Sequence, residues 1–135
     1  MASCLVTEGI SFDVVADIYH HPWFVISAPT EVDPRVVSVN LTSFDASTRY
    51  GQYNDPACVF HVGEHSFIGH DTCVCYADAH ESSIVAFESR ISCGKYRMRR
   101  DPADDGILEK MRKGARNSPF FEGDYLDILR EQGLV

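Results

Sequence analysis

The stretch His21-Pro22-Trp23-Phe24-Val25-Ile26-Ser27, followed by Val36-Val37-Ser38-Val39-Asn40-Leu41-Thr42-Ser43, decides the fold class. Both runs are short and rich in β-branched or aromatic residues. Pro, Asp and Ser bound them, which is the composition of strands rather than helices. Pro22 has no N–H to give to a ladder and therefore belongs at a strand start. Working outward, the same punctuation predicts strands over 12–19, 23–27, 36–41, 58–62, 72–76 and 83–87. Only His20, His21 and Pro22 separate the first two, so that connection is tight. Several short strands at this spacing imply a compact barrel or a strongly bent sheet.

Beyond Asp101-Pro102 the period changes to that of a helix. Asp104 or Asp105 caps it, Ile107, Leu108, Met111 and Ala115 share a face, and Gly114 marks its end. A second short helix over 124–132 docks through Tyr125, Leu126, Ile128 and Leu129. The expectation is one α+β domain, 1–135, mainly β with C-terminal helices. Its barrel part covers about 10–92 and its helical part about 101–135. No run of ~18 apolar residues is present, and Met1 to Ile10 lack a basic region followed by an apolar one. A soluble, cytoplasmic chain without membrane partners is expected.

Five cysteines, Cys4, Cys58, Cys73, Cys75 and Cys93, form an odd set, and Cys73 and Cys75 would point the same way along a strand. A reducing compartment suits them. The formal net charge of −8 argues against loose, charge-driven binding to nucleic acid. The total conceals an asymmetry: eight of the twelve Lys and Arg residues lie between Lys95 and Arg116. That segment is either a basic binding face or an ordinary solvated surface. Lys110, Arg112 and Lys113 also sit where cations complement a helix dipole.

Six histidines in so short a chain invite a search for chemistry, and His20, His21, His61, His65 and His70 fall at predicted turns and strand ends. The series His61, His65, His70, Cys73, Cys75 has donors that suit zinc. It lacks paired Cys-x2-Cys ligands, however, and the two cysteines sit in an apolar strand, so buried structural thiols are the expected reading and no metal is assigned. No Gly-rich phosphate loop, Gly-x-Ser-x-Gly elbow or His-Glu-x-x-His helix occurs. What remains is polar chemistry from His, Thr, Ser and Arg.

The order of the blocks 21–27 and 36–43, then Asp55-Pro56-Ala57-Cys58-Val59, then Gly63-Glu64-His65-Ser66-Phe67-Ile68-Gly69-His70 running into Asp71-Thr72-Cys73-Val74-Cys75-Tyr76, resembles a PemK-like branch of the PemK/MazF toxin family. The late segment 107–118 resembles that branch's C-terminal helix. The resemblance implies an SH3-like small β-barrel, often dimeric, that cuts single-stranded RNA without a cofactor and is silenced by an antitoxin protein. It also implies two site positions. Where the family has Arg before the Pro of its second strand, this chain has His21; the family's Thr after the third strand matches Thr42.

An Arg is charged at every working pH, whereas a His is charged only while protonated but can move protons. In the metal-free route a base takes the proton of the RNA 2′-hydroxyl, an acid protonates the departing 5′-oxygen, and donors hold the phosphorane oxygens. The expected catalytic set is His21 as acid or base and Thr42 as donor, with His65 or His70 as partner. Ser43 supplements Thr42. Phe44, Arg49, Tyr50 and Tyr53 offer stacking faces and charge for RNA, and Arg97 and Arg99 add cations. Each has a plainer role open to it: a turn before Pro22, a strand end, a loop hydrogen bond or a place in the core. Two other functions stay open: an inactive SH3-like module that binds a peptide or protein, and a zinc-binding regulatory domain.

Overall fold

The computed structural model describes residues 6–135, and Cys4 lies outside the described residues. Six strands form one antiparallel sheet: β1 (Ser11–Val14), β2 (Trp23–Val25), β3 (Arg35–Ser43), β4 (Val59–Phe60), β5 (Thr72–Ser83) and β6 (Tyr96–Met98). Their spatial order is β4-β5-β3-β2-β1-β6. Helices α1 (Ile84–Ser92), α2 (Asp105–Asn117) and α3 (Gly123–Glu131) complete an α+β architecture. The ladder is open rather than closed into the expected barrel. Its edges, β4 and β6, span only two and three residues, and each pairs on one side alone, with β5 and β1. No described helix is long and apolar enough to cross a membrane.

Alternation along the central strands divides the core in two. Phe24, Ile26, Val37, Val39 and Leu41 pack with Ile107, Leu108, Met111 and Ala115 of α2 and with Ile128 and Leu129 of α3. The intervening Val25 and Val36 turn the other way, toward Val6, Phe12 and Phe87 of α1. A period of two in the strands meeting a period near four in the helices is what lets one sheet bury both faces. Between the pairs Ser38↔His80 and Asn40↔Cys75, Val39 alone on β3 faces Tyr76, Ala77, Asp78 and Ala79 on β5. A bulge of this kind bends and twists the ladder. Beyond it β5 changes from wholly buried to largely exposed.

The elements also depart from expectation: the strands expected over 23–27 and 58–62 are shorter, and that over 72–76 runs on to Ser83. The first strand stops at Val14 instead of reaching residue 19, because Asp17 takes the chain into a turn: its N–H donates to Val14 O and its carbonyl accepts from His20 N–H. Residues 84–87, expected as a strand for their β-branched content, open α1. Ser83 Oγ caps that helix by accepting from Ala86 N–H, and Ile84, Phe87 and Ile91 fall at helical spacing on one core face. The strand β6 was not foreseen; Tyr96 packs on Phe12 and Phe87, with ring centroids 4.8 and 5.1 Å away. Finally, Gly114 lies inside α2, which runs on to Asn117. Its missing Cβ admits Tyr76, whose hydroxyl donates to Met111 O at 2.6 Å. Asp104 is the N-cap, its carboxylate accepting from Ile107 N–H.

Candidate active site

The turn between β1 and β2 is built around one carboxylate. Asp17 Oδ1 accepts the backbone N–H of Tyr19, and Oδ2 accepts both the backbone N–H and ring Nδ1–H of His21, each at 3.0 Å. Burial alone would raise the Asp17 pKa; the hydrogen bonds from Tyr19 and His21, with the nearby imidazole, outweigh it and hold the carboxyl below its usual range. His20, between the two anchored residues, takes the left-handed conformation (φ 54°) that lets the chain double back in so few steps. Pro22 then leads into β2, its carbonyl accepting from Leu41 N–H. With Nδ1 committed to Asp17, Nε2 of His21 has no protein partner among the described residues.

The facing wall comes from the end of β3 and the start of β5. Ser43 Oγ and His70 Nε2 are 2.8 Å apart, and the Thr72 hydroxyl donates to the His70 carbonyl, also at 2.8 Å. Both walls border one open cavity of about 350 Å³. Three imidazoles (His20, His21, His70), three small hydroxyls (Thr42, Ser43, Thr72), Tyr19 and Phe67 line it with Pro22 and Leu41. No carboxylate, Lys or Arg is among the lining side chains; the nearest carboxylate described is that of Asp17, bonded to His21. A larger cavity of about 520 Å³ lies beside α2, where Glu8, Asp105 and Glu109 offset Arg112, Lys113 and Arg116; it holds no imidazole or hydroxyl group.

His21, Thr42, Ser43 and His70 are thus brought together, and His65 is not. Its Nε2–H donates to Pro102 O at 3.0 Å, and its Nδ1 accepts from Phe67 N–H at 3.1 Å. The ring stands edge-on to Phe24 and against Phe67, supporting the cavity wall from behind. Arg99 lies over Phe67, its guanidinium carbon 4.2 Å from the ring centroid, and shares Asp13 with Arg97. Phe44 and Tyr50 stack with centroids 5.9 Å apart. Arg49 and Tyr53 are exposed on the same loop, which Asn54 ties down through bonds to Asp45, Thr48 and Arg49.

The histidines and cysteines of the zinc reading are separated by their partners. His61 Nδ1 faces Asp71 at 2.9 Å, His65 is engaged as above, and His70 faces Ser43. Cys73 and Cys75 are buried in β5. Among the described residues no three His, Cys, Asp or Glu side chains gather as metal ligands. Burial pushes the thiols of Cys58 and Cys75 up to about 12.

Sequence reasoning did not identify Asp17, Tyr19, Phe67 or Thr72. The spacing Asp17-x3-His21 held a usable signal: an Asp that opens a turn accepts backbone N–H groups two to four residues on, which puts the side chain at the fourth within its reach. An imidazole held by a carboxylate and a second imidazole paired with a hydroxyl, lining one cavity, are groups that can exchange protons. No protein-family model, curated protein or solved structure matches this chain.

Proposed function

We propose that the chain is a metal-independent endoribonuclease that cleaves single-stranded RNA, a PemK/MazF-like toxin acting in the cytoplasm as a homodimer and restrained by an antitoxin protein. One observation carries the reading: His21, oriented by Asp17, and His70, paired with Ser43, border a single cavity together with Thr42. On this reading the bulged sheet corresponds to the family's SH3-like barrel, left unpaired between β4 and β6.

His21 Nε2 takes the proton of a ribose 2′-hydroxyl, and Asp17 stabilises the imidazolium that forms. O2′ bonds to the adjacent phosphorus while the P–O5′ bond breaks. His70, entering protonated, gives its proton to O5′. Thr42 and Ser43 donate to the non-bridging oxygens as negative charge builds there. The products are a 2′,3′-cyclic phosphate and a 5′-hydroxyl end. Proton transfer thereby replaces the fixed charge of the family's Arg.

The test is cleavage of mixed-sequence single-stranded RNA in excess EDTA. His21→Ala and His70→Ala should each lower kcat/KM by roughly 10²–10⁴-fold. Thr42→Ala should lower it by about 10–10³-fold through the lost phosphate donor. Wild-type activity should follow a bell-shaped pH profile that loses its acidic limb in His21→Ala and its basic limb in His70→Ala. Full activity in both histidine variants would refute the site. A second reading, a binding module for a basic peptide, draws on the net charge of −8 and on the pairing of Arg97, Arg99, Lys110 and Arg112 with Asp13, Glu64 and Glu8. RNA left intact at every protein concentration would favour it.

A further inference from the structure

We infer that the ring of Tyr19 is a stacking platform for one nucleobase of the RNA, the base carried by a nucleotide adjoining the scissile phosphate; this rests on the ribonuclease reading above. Tyr19 is 76% exposed, which leaves most of a large aromatic side chain in water. It borders the same cavity as His21, His70 and Thr42. Its ring centroid lies 5.9 Å from that of His21, with the planes tilted by 41°. A planar group laid on Tyr19 therefore brings whatever is attached to it close to the imidazole that has Nε2 free.

The placement of Tyr19 is not that of a loosely held loop residue. The carboxylate that orients His21 through Oδ2 also holds the Tyr19 backbone through Oδ1. One side chain therefore anchors both the imidazole and the backbone that carries the platform, as a site needs when a base must be held while its own ribose or phosphate reacts. The chemistry of the occupant follows from the rest of the wall. Imidazoles and hydroxyls suit a phosphate, and an exposed aromatic face suits a flat π-system. A nucleotide of single-stranded RNA carries both at adjoining positions, whereas a duplex keeps its base faces stacked on one another and unavailable. Stacking of this kind tolerates any base, so Tyr19 contributes affinity and position rather than sequence choice.

The experiment uses a single-stranded RNA made uncleavable by a 2′-O-methyl group at the mapped cut site. Its binding is measured for the wild-type chain, Tyr19→Phe and Tyr19→Ala, each with the normal oligonucleotide and with one whose base is deleted beside the cut. Tyr19→Phe should bind as wild type, and Tyr19→Ala about tenfold more weakly. Deleting the stacked base should weaken the wild type by a similar factor and leave Tyr19→Ala unchanged, because both remove the same contact. The exposure of Tyr19 makes an unaltered melting temperature the expected control. Equal binding by all three chains, or losses from variant and base deletion that multiply, would overturn the platform while cleavage by the wild type leaves the ribonuclease reading intact. A wild type that neither binds nor cuts RNA would overturn both.

Discussion

At His20 a non-glycine residue occupies the left-handed region, φ 54°, in the turn that presents Tyr19 and His21. A β-branched side chain is the worst fit there, and the backbone strain is roughly 1–2 kcal/mol. His20→Val should therefore lower the melting temperature, while His20→Gly should hold or raise it; the reverse order would contradict the strained turn. Thiol reactivity gives a second test at this scale. Cys93 is exposed, while Cys58, Cys73 and Cys75 are buried with their thiol pKa values raised. Iodoacetamide at neutral pH should modify Cys93 in the folded chain and spare those three until denaturant is added, as peptide mapping would read. The sequence placed His21, Thr42, Ser43 and His70 at turns and strand ends, where such residues meet. It did not separate His70 from His65, because the two differ only in what the fold supplies: a serine hydroxyl at a cavity for one, a proline carbonyl for the other.

Among elements, α2 is held to the sheet at one unusually close approach. A Cβ on residue 114 would overlap the Tyr76 hydroxyl and lie 2.7 Å from Cys58 Cβ. Gly114→Ala should destabilise the chain by about 1–3 kcal/mol through overpacking, read in a urea titration, even though Ala favours helices. A stabilised Gly114→Ala would mean that Tyr76 does not dock there. Ser83→Ala should cost about 1 kcal/mol by removing the cap of α1. Most of the sheet and both C-terminal helices were legible, since alternation and capping residues act locally. Two elements were not. Ile84 and Val85 favour strands, and only the core position of Phe87 with the Ser83 cap decides for helix. The strand β6 is three residues long, and its alternation of Tyr96 and Met98 with Arg97 means little until Asp13 is known to face it.

Across the whole molecule, acidic residues outnumber basic ones, and several are bound into the fold. Arg35 pulls the Asp33 carboxyl down to about 2 and also reaches Glu131 of α3 at 2.6 Å. Glu64 is lowered first by the backbone N–H of His61 and then by Lys110, and Asp17 is lowered as described. A carboxyl depressed in the folded state stabilises fully above its unfolded pKa of about 4 and loses that contribution as pH falls toward the folded value. Thermal stability should therefore decline below about pH 4. Arg35→Met should flatten the part of that decline nearest pH 2, and an unchanged profile would remove Arg35 as its cause. The proposed function requires a two-histidine site for attack by a ribose 2′-hydroxyl on the neighbouring phosphate. Its most direct test is mass spectrometry of the products from a single-stranded RNA in EDTA, beside the same strand with 2′-O-methyl at the cut nucleotide. The proposed reaction yields a 2′,3′-cyclic phosphate with a 5′-hydroxyl from the first strand and no cut at that position in the second; equal cleavage of both, or a 5′-phosphate product, would refute it.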